Sequence, residues 1–182
     1  MGRHYLGSWR VDIDRREGVP RLLPDAALAR SVAAALDAAG APSPASIGLI
    51  LSDDSELASL NAVHMGKAGP TDVLSFPLLP ADAFPAHPGK AAPTTAAIAS
   101  FALPPGARPH LGDIVISVER AIDQAAAGRG GQTGDIRWDA ADELRLLATH
   151  GTLHVCGWDH AAPVEETAMR ALERRLLGAD PA

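Results

Sequence analysis

At 182 residues, 47% apolar and 21% charged, the chain has the size and composition of one globular domain with its own core. It offers no apolar run near the roughly 18 residues that a membrane helix needs, and its one cysteine, Cys156, excludes an internal disulfide. The 16 Lys+Arg against 22 Asp+Glu give a net charge of −6, which argues against a protein that coats nucleic acid through bulk charge but is compatible with an enzyme holding a local basic groove.

Residues 1–10 lack the apolar stretch of a secretory signal, so a cytoplasmic chain without membrane contact is expected. Alternation at Trp9, Val11 and Ile13 predicts a strand over 5–13. Pro24-Asp25 opens an Ala/Leu-rich helix that runs to Ala39 and stops at Gly40. The apolar run 47–51 reads as a buried strand. Asp53 with Glu56 three residues later has the form of an N-cap and capping box; the helix behind it carries Leu57 and Leu60 and ends near Gly66. Residues 72–76 form another strand, closed by Pro77.

The stretch 77–109 breaks the pattern, holding 8 of the 15 prolines and only three charged residues, Asp82, Lys90 and Arg108. Its Ala/Pro/Gly/Thr composition predicts a mobile insertion at about 78–109 within a single domain spanning 1–182. Order resumes with a strand over 112–117 and a helix from Val118 to Ala127. The glycine-rich run 128–134 lacks the Gly-Lys-Ser/Thr ending of a phosphate-binding loop and reads as a connector. A helix over 140–156 carries Leu144, Leu147 and Leu153. The last helix starts at Pro163, with Val164, Ala168, Leu172 and Leu176 at near-helical spacing. Strands and helices mix without strict alternation, the pattern of an α+β domain with a small mixed sheet packed by several helices.

The chemistry concentrates in Thr149-His150-Gly151-Thr152-Leu153-His154-Val155-Cys156-Gly157-Trp158-Asp159-His160. His150 and His154 lie four apart on a helix, so both rings leave one face, with Cβ atoms about 5–6 Å apart. Two imidazole nitrogens can then converge on one ion. Gly157 ends the helix in the left-handed conformation and lets the following turn deliver His160 as a third ligand. Three neutral nitrogen donors leave one coordination position for water, as in catalytic zinc sites. With 7 His and 17 Gly in the chain, random placement produces this spacing roughly once in 1,700. The spacing equals that of zinc peptidases with His-Glu-x-x-His-x-x-Gly-x-x-His, but Gly151 stands where their catalytic glutamate belongs, so peptide hydrolysis by their route is unsupported.

The same segment resembles the signature of the YbeY family of metal-dependent endoribonucleases, which act in ribosomal RNA maturation. Two further segments match in order, Gly69-Pro70-Thr71-Asp72-Val73-Leu74-Ser75-Phe76-Pro77 and Leu111-Gly112-Asp113-Ile114-Val115-Ile116-Ser117. Leu60-Asn61 and the helix after Pro163 also fit, and the resemblance covers about 46–177 apart from the insertion. It implies a zincin-like α+β fold and one Zn²⁺ per chain on His150, His154 and His160. It further implies cleavage of single-stranded RNA, including 16S ribosomal RNA of the small subunit, and a role in ribosome quality control, with ribosomal RNA and ribosomal proteins as partners. One departure stands out: Met65 occupies the place where many family members carry an arginine.

From the residues alone the metal stays open among zinc, nickel and copper, which three imidazoles all accept. The general base is open too. Asp113 and Asp159 are the candidates; Asp159 equally suits orienting a ligand histidine or capping a turn. Ser75 and Thr71 can bind phosphate, although strand hydroxyls more often bond backbone. Trp158 can stack on a base, yet at a turn it more often packs into the core. Cys156 reads as a small buried apolar residue, and His64, His87 and His110, without partners at ligand spacing, read as surface residues. A second reading of the chain is a non-catalytic ribosome-assembly factor whose metal is structural.

Overall fold

The computed structural model describes residues 1–90, 107–128 and 138–178. Its N-terminal segment is a hairpin instead of one strand over 5–13. Strands β1 (Gly2–Leu6) and β2 (Trp9–Arg15) pair antiparallel with Leu6 opposite Trp9. The inward alternation of Trp9, Val11 and Ile13 holds, and all three are buried. The turn escapes a period-2 reading because it costs only two residues, Gly7 and Ser8. Gly7 takes φ 57°, a left-handed conformation open to glycine that closes tight hairpins.

Helix α1 (Asp25–Ala38) buries Leu28, Val32 and Leu36, spaced four apart, and leads into β3 (Ala45–Ser52). Helix α2 (Asp54–Met65) is capped by the Asp53 carboxylate, which accepts from the Glu56 backbone N–H at 2.9 Å. The Glu56 carboxylate does not close the capping box. It takes two nitrogens of Arg16 at 2.7 and 2.8 Å and the Ser52 hydroxyl, so one cap half is exchanged for a tie to the residue that follows β2. Strand β4 (Val73–Pro77), strand β5 (His110–Ser117), α3 (Val118–Ala126), α4 (Ala140–Val155) and α5 (Pro163–Leu177) complete the order. The expected connector lies, beyond Gly128, outside the described residues.

The five strands form one mixed sheet in the order β1-β2-β3-β5-β4, with β2–β3 and β3–β5 parallel and both outer pairs antiparallel. One face packs Val11, Ile13, Ile47, Leu49, Ile114 and Ile116 against α1 and α4. On the other, Leu57 of α2 covers Leu74 and Val115. Helix α4 is buried along nearly its whole length, between α1, α3 and α5 and over β4 and β5. The identity of Gly151 follows from that position: a Cβ there would lie 2.6 Å from Ile114 Cγ2 and 3.1 Å from Val73 Cγ2.

Residues 78–90, part of the stretch that composition assigns to a mobile insertion, are anchored at Phe84 while most of their side chains face solvent. Ala81–Ala83 make one 3₁₀ turn, and Phe84 is 3% exposed within the main core. Burying a phenylalanine in this way contributes about 1.5–3 kcal/mol, a term that a count of prolines cannot reveal. Residues 91–106 lie outside the described residues. No helix among the described residues is long and apolar enough to cross a membrane.

Candidate metal centre

The last two turns of α4 carry His150 and His154, and the helix ends as the sequence predicts. Cys156 is the C-cap and Gly157 takes φ 79°. The chain then reverses, with the Trp158 N–H donating to the Leu153 carbonyl at 3.0 Å, and His160 comes round to the same side. One nitrogen from each of the three rings lies within 4.8 Å of the others. His150 and His154 approach most closely, Nε2 to Nε2 at 3.0 Å. Two donors on a tetrahedral ion at about 2.0–2.1 Å would stand about 3.3 Å apart, so the pair is at ligand spacing.

Hydrogen bonds fix which nitrogens remain for an ion. His154 Nδ1 donates to the Trp158 carbonyl at 2.9 Å, and His150 Nδ1 donates to Glu173 Oε1 of α5 at 2.7 Å. A carbonyl oxygen only accepts, so the His154 proton sits on Nδ1 and its Nε2 presents a lone pair. The Glu173 carboxylate imposes the same tautomer on His150. Two lone pairs thus face each other across 3.0 Å; they repel unless a cation or a proton lies between them. Burial, and then the neighbouring His150 and His160, push the His154 pKa down to about 4, so the His154 ring is neutral and its Nε2 is free to act as a donor atom near neutral pH. The donor set fits a divalent transition metal.

His150 is buried, His154 half-buried and His160 exposed. They open on a cleft of about 1040 Å³ whose walls include Asn61, Lys67, Thr71, Ser75 and Asp159. Asp159 Oδ1 accepts from the His160 backbone N–H at 2.7 Å: it caps the turn and does not orient a ligand ring. Asp113 is not brought to the site. Its neighbour Ile114 faces α4, so alternation along β5 points Asp113 to the opposite sheet face. There its carboxylate lies over Gly48 and 3.1 Å from His110 Nε2. Ser75 Oγ donates to the Gly151 carbonyl at 3.0 Å, and Thr71 Oγ1 donates to Asp72 Oδ1 at 3.2 Å.

Trp158 is 9% exposed and belongs to the core. Burial pushes the Cys156 thiol up to about 12, so it stays protonated. His64 is exposed beside Phe76, and His110 binds Ser46 and Asp113. His87 departs from its surface reading, because its ring stacks on Trp158 with centroids 4.0 Å apart and planes at 8°. Glu173 was invisible to motif reasoning, being 23 residues from His150. Its one signal is an acid four residues after Met169 on the buried stripe of α5.

The model of the family described as endoribonuclease YbeY matches residues 20–179. An endoribonuclease YbeY of Salinispora tropica is 42% identical over 144 residues, 79% of each chain. Another, from Alkalilimnicola ehrlichii, is 35% identical over 181 residues, covering 97% of this chain and 87% of that one. The solution structure of TM1509 from Thermotoga maritima aligns over 92% of this chain and 89% of that one at 19% identity, with a TM-score of 0.47. The family match and these identities decide the matter: the chain belongs to the YbeY family of endoribonucleases.

Proposed function

We propose that this chain is a metal-dependent endoribonuclease that cuts single-stranded segments of ribosomal RNA in the cytoplasm, during 16S maturation and ribosome quality control, using one Zn²⁺ on His150, His154 and His160. The observation that carries the reading is the convergence of three imidazoles on a cleft, with His150 and His154 Nε2 atoms 3.0 Å apart and a nitrogen of each ring within 4.8 Å of the others. A bound ion would polarise a phosphodiester oxygen and ease deprotonation of the attacking hydroxyl or water. Family membership supplies the RNA, and the resemblance supplies its ribosomal source. We read the chain as one domain with a zincin-like arrangement, two ligands on a helix and the third on the turn behind it.

The chain's own groups supply the remainder. Glu173 and the Trp158 carbonyl hold two ligands in the tautomer that offers Nε2. Lys67 places a cation on the cleft wall for a backbone phosphate. Asp159 lines the cleft, and its Oδ2 has no hydrogen-bond partner among the described residues; we assign it the proton taken from the attacking group.

The test is cleavage of a labelled single-stranded RNA by the metal-loaded wild type and by His154→Ala, with bound zinc counted in both. Cutting by the wild type and none by the zinc-free variant is expected. Full-rate cutting by the variant would overturn the enzyme. A loaded wild type that binds RNA and never cuts it would instead favour the assembly-factor reading.

A further inference from the structure

We propose that His87 and Lys90 are positioning residues of the metal centre, bracing the turn Gly157–His160 from outside the helix that carries the other ligands. The inference rests on the metal reading above and extends it to a segment that no motif marks.

That turn does two jobs. It presents His160, and its Trp158 carbonyl fixes the His154 tautomer. Its peptide groups are gripped from two sides. Lys90 Nζ donates to the Gly157 carbonyl at 2.7 Å and to the Ala81 carbonyl at 3.2 Å, tying the turn to the 3₁₀ segment. The His87 ring lies flat on Trp158, its side chain only 5% exposed. His87 Nε2 is 3.4 Å from the Gly157 carbonyl and 3.7 Å from Glu165 Oε1. The same Glu165 oxygen accepts from the Asp159 N–H at 3.1 Å. Packing leaves no slack, since a Cβ on Gly157 would lie 2.7 Å from Lys90 Nζ and 3.1 Å from Ala81 Cα.

The positions of His150 and His154 are set by α4, which packs on α1, α3, α5, β4 and β5, so only the tautomer of His154 depends on the turn. His160 sits on an exposed turn, and fixing that turn before the ion arrives removes conformational freedom that binding would otherwise have to freeze. Loss of the brace therefore lowers metal affinity through His160 and through the Trp158 carbonyl.

The experiment uses full-length, metal-free protein as wild type, His87→Ala/Lys90→Met, Lys90→Met alone, His87→Phe and His154→Ala. Zinc affinity is read by competition with a chromogenic chelator, and the Co²⁺ visible bands report whether three rings still converge. The double variant is expected to bind zinc about 10–100-fold more weakly, as loss of an outer hydrogen-bonding shell typically does, with weakened Co²⁺ bands. His87→Phe, which keeps a flat ring on Trp158, should fall between it and the wild type. If the double variant fails to give a folded far-UV spectrum, Lys90→Met alone carries the test with the same expected direction. Wild-type affinity and wild-type Co²⁺ bands in a folded brace variant, with His154→Ala unable to load, overturn the brace and leave the metal centre standing. A wild type that takes up no zinc overturns both.

Discussion

Replacing Gly151 by alanine separates local propensity from packing at the heart of the site. In an ordinary helix interior the change stabilises by about 1 kcal/mol. Here the new methyl would sit 2.6 Å from Ile114 Cγ2 and 3.1 Å from Val73 Cγ2, where carbon atoms prefer about 3.5–4.0 Å. About 1 Å must be found. Neither neighbour can rotate away cheaply, because β-branched side chains are stiff at χ1 and Ile114 is fully buried. Helix α4 must lift from the sheet, an overpacking cost of about 1–3 kcal/mol that we place at the upper end, leaving a net loss of about 1–2 kcal/mol. For a chain of this size each kcal/mol moves the melting midpoint by about 2–4 °C, so thermal melts of metal-free protein should show a fall of about 2–8 °C. Combining it with Ile114→Ala should reduce the penalty, a coupling that a double-mutant cycle reads directly. A Gly151→Ala chain melting at or above the wild type would refute the close approach of α4 to β5.

Truncating Glu173 to alanine should weaken zinc binding about 10–100-fold, with Glu173→Gln recovering part of the loss; equal affinities in all three chains would count against the tautomer argument. Asp159→Asn should slow RNA cleavage by about 10²–10⁴ with zinc fully retained, the range for a lost proton acceptor, and an unchanged rate would remove Asp159 from the chemistry. Met65→Arg on the cleft wall should tighten RNA binding and steepen its dependence on log salt by about one unit, measured by filter binding across a salt series. Finally, the Arg16 hydrogen bond holds the Glu56 pKa down at about 2, below its usual 4.5. A depressed carboxylate stabilises above the unfolded value and loses that contribution as pH falls from about 4.5 towards 2. The pair is partly exposed, so screening limits the effect to about 1 kcal/mol. Urea midpoints of wild type and Glu56→Gln should differ at pH 7 and converge near pH 2, and parallel curves would show that the pair adds nothing.

Local signals made much of this molecule readable. The α2 cap at Asp53, the glycine stop at Gly157 and proline at the head of α5 each act within four residues, and each stands where the pattern places it. The histidine cluster is readable for the same reason, since helix spacing sets His150 beside His154 and the glycine stop turns His160 back towards them. What stayed hidden is set by contacts between distant segments. Glu173 reaches His150 only because α5 packs on α4, the Trp158 carbonyl carries no residue identity at all, and Phe84 is buried despite neighbours whose composition signals a loop. The hairpin was missed for the opposite reason, because Gly7-Ser8 is too short to interrupt an alternating pattern. Asp113 misled because a matching motif specifies neighbours along a strand, not which face of the sheet each side chain takes.

The unequal exposure of the three rings would govern how an ion enters and leaves the proposed centre. His150 and His154 belong to a helix whose opening would require much of the core to come apart, while His160 rides on a surface turn. With an ion bound as proposed, exchange would begin with rotation of the exposed His160 side chain off the braced turn, an event costing far less than unfolding the chain. Residence time of such an ion would then be set by that one side chain, and the ion would leave or be swapped while the remainder of the molecule stays intact.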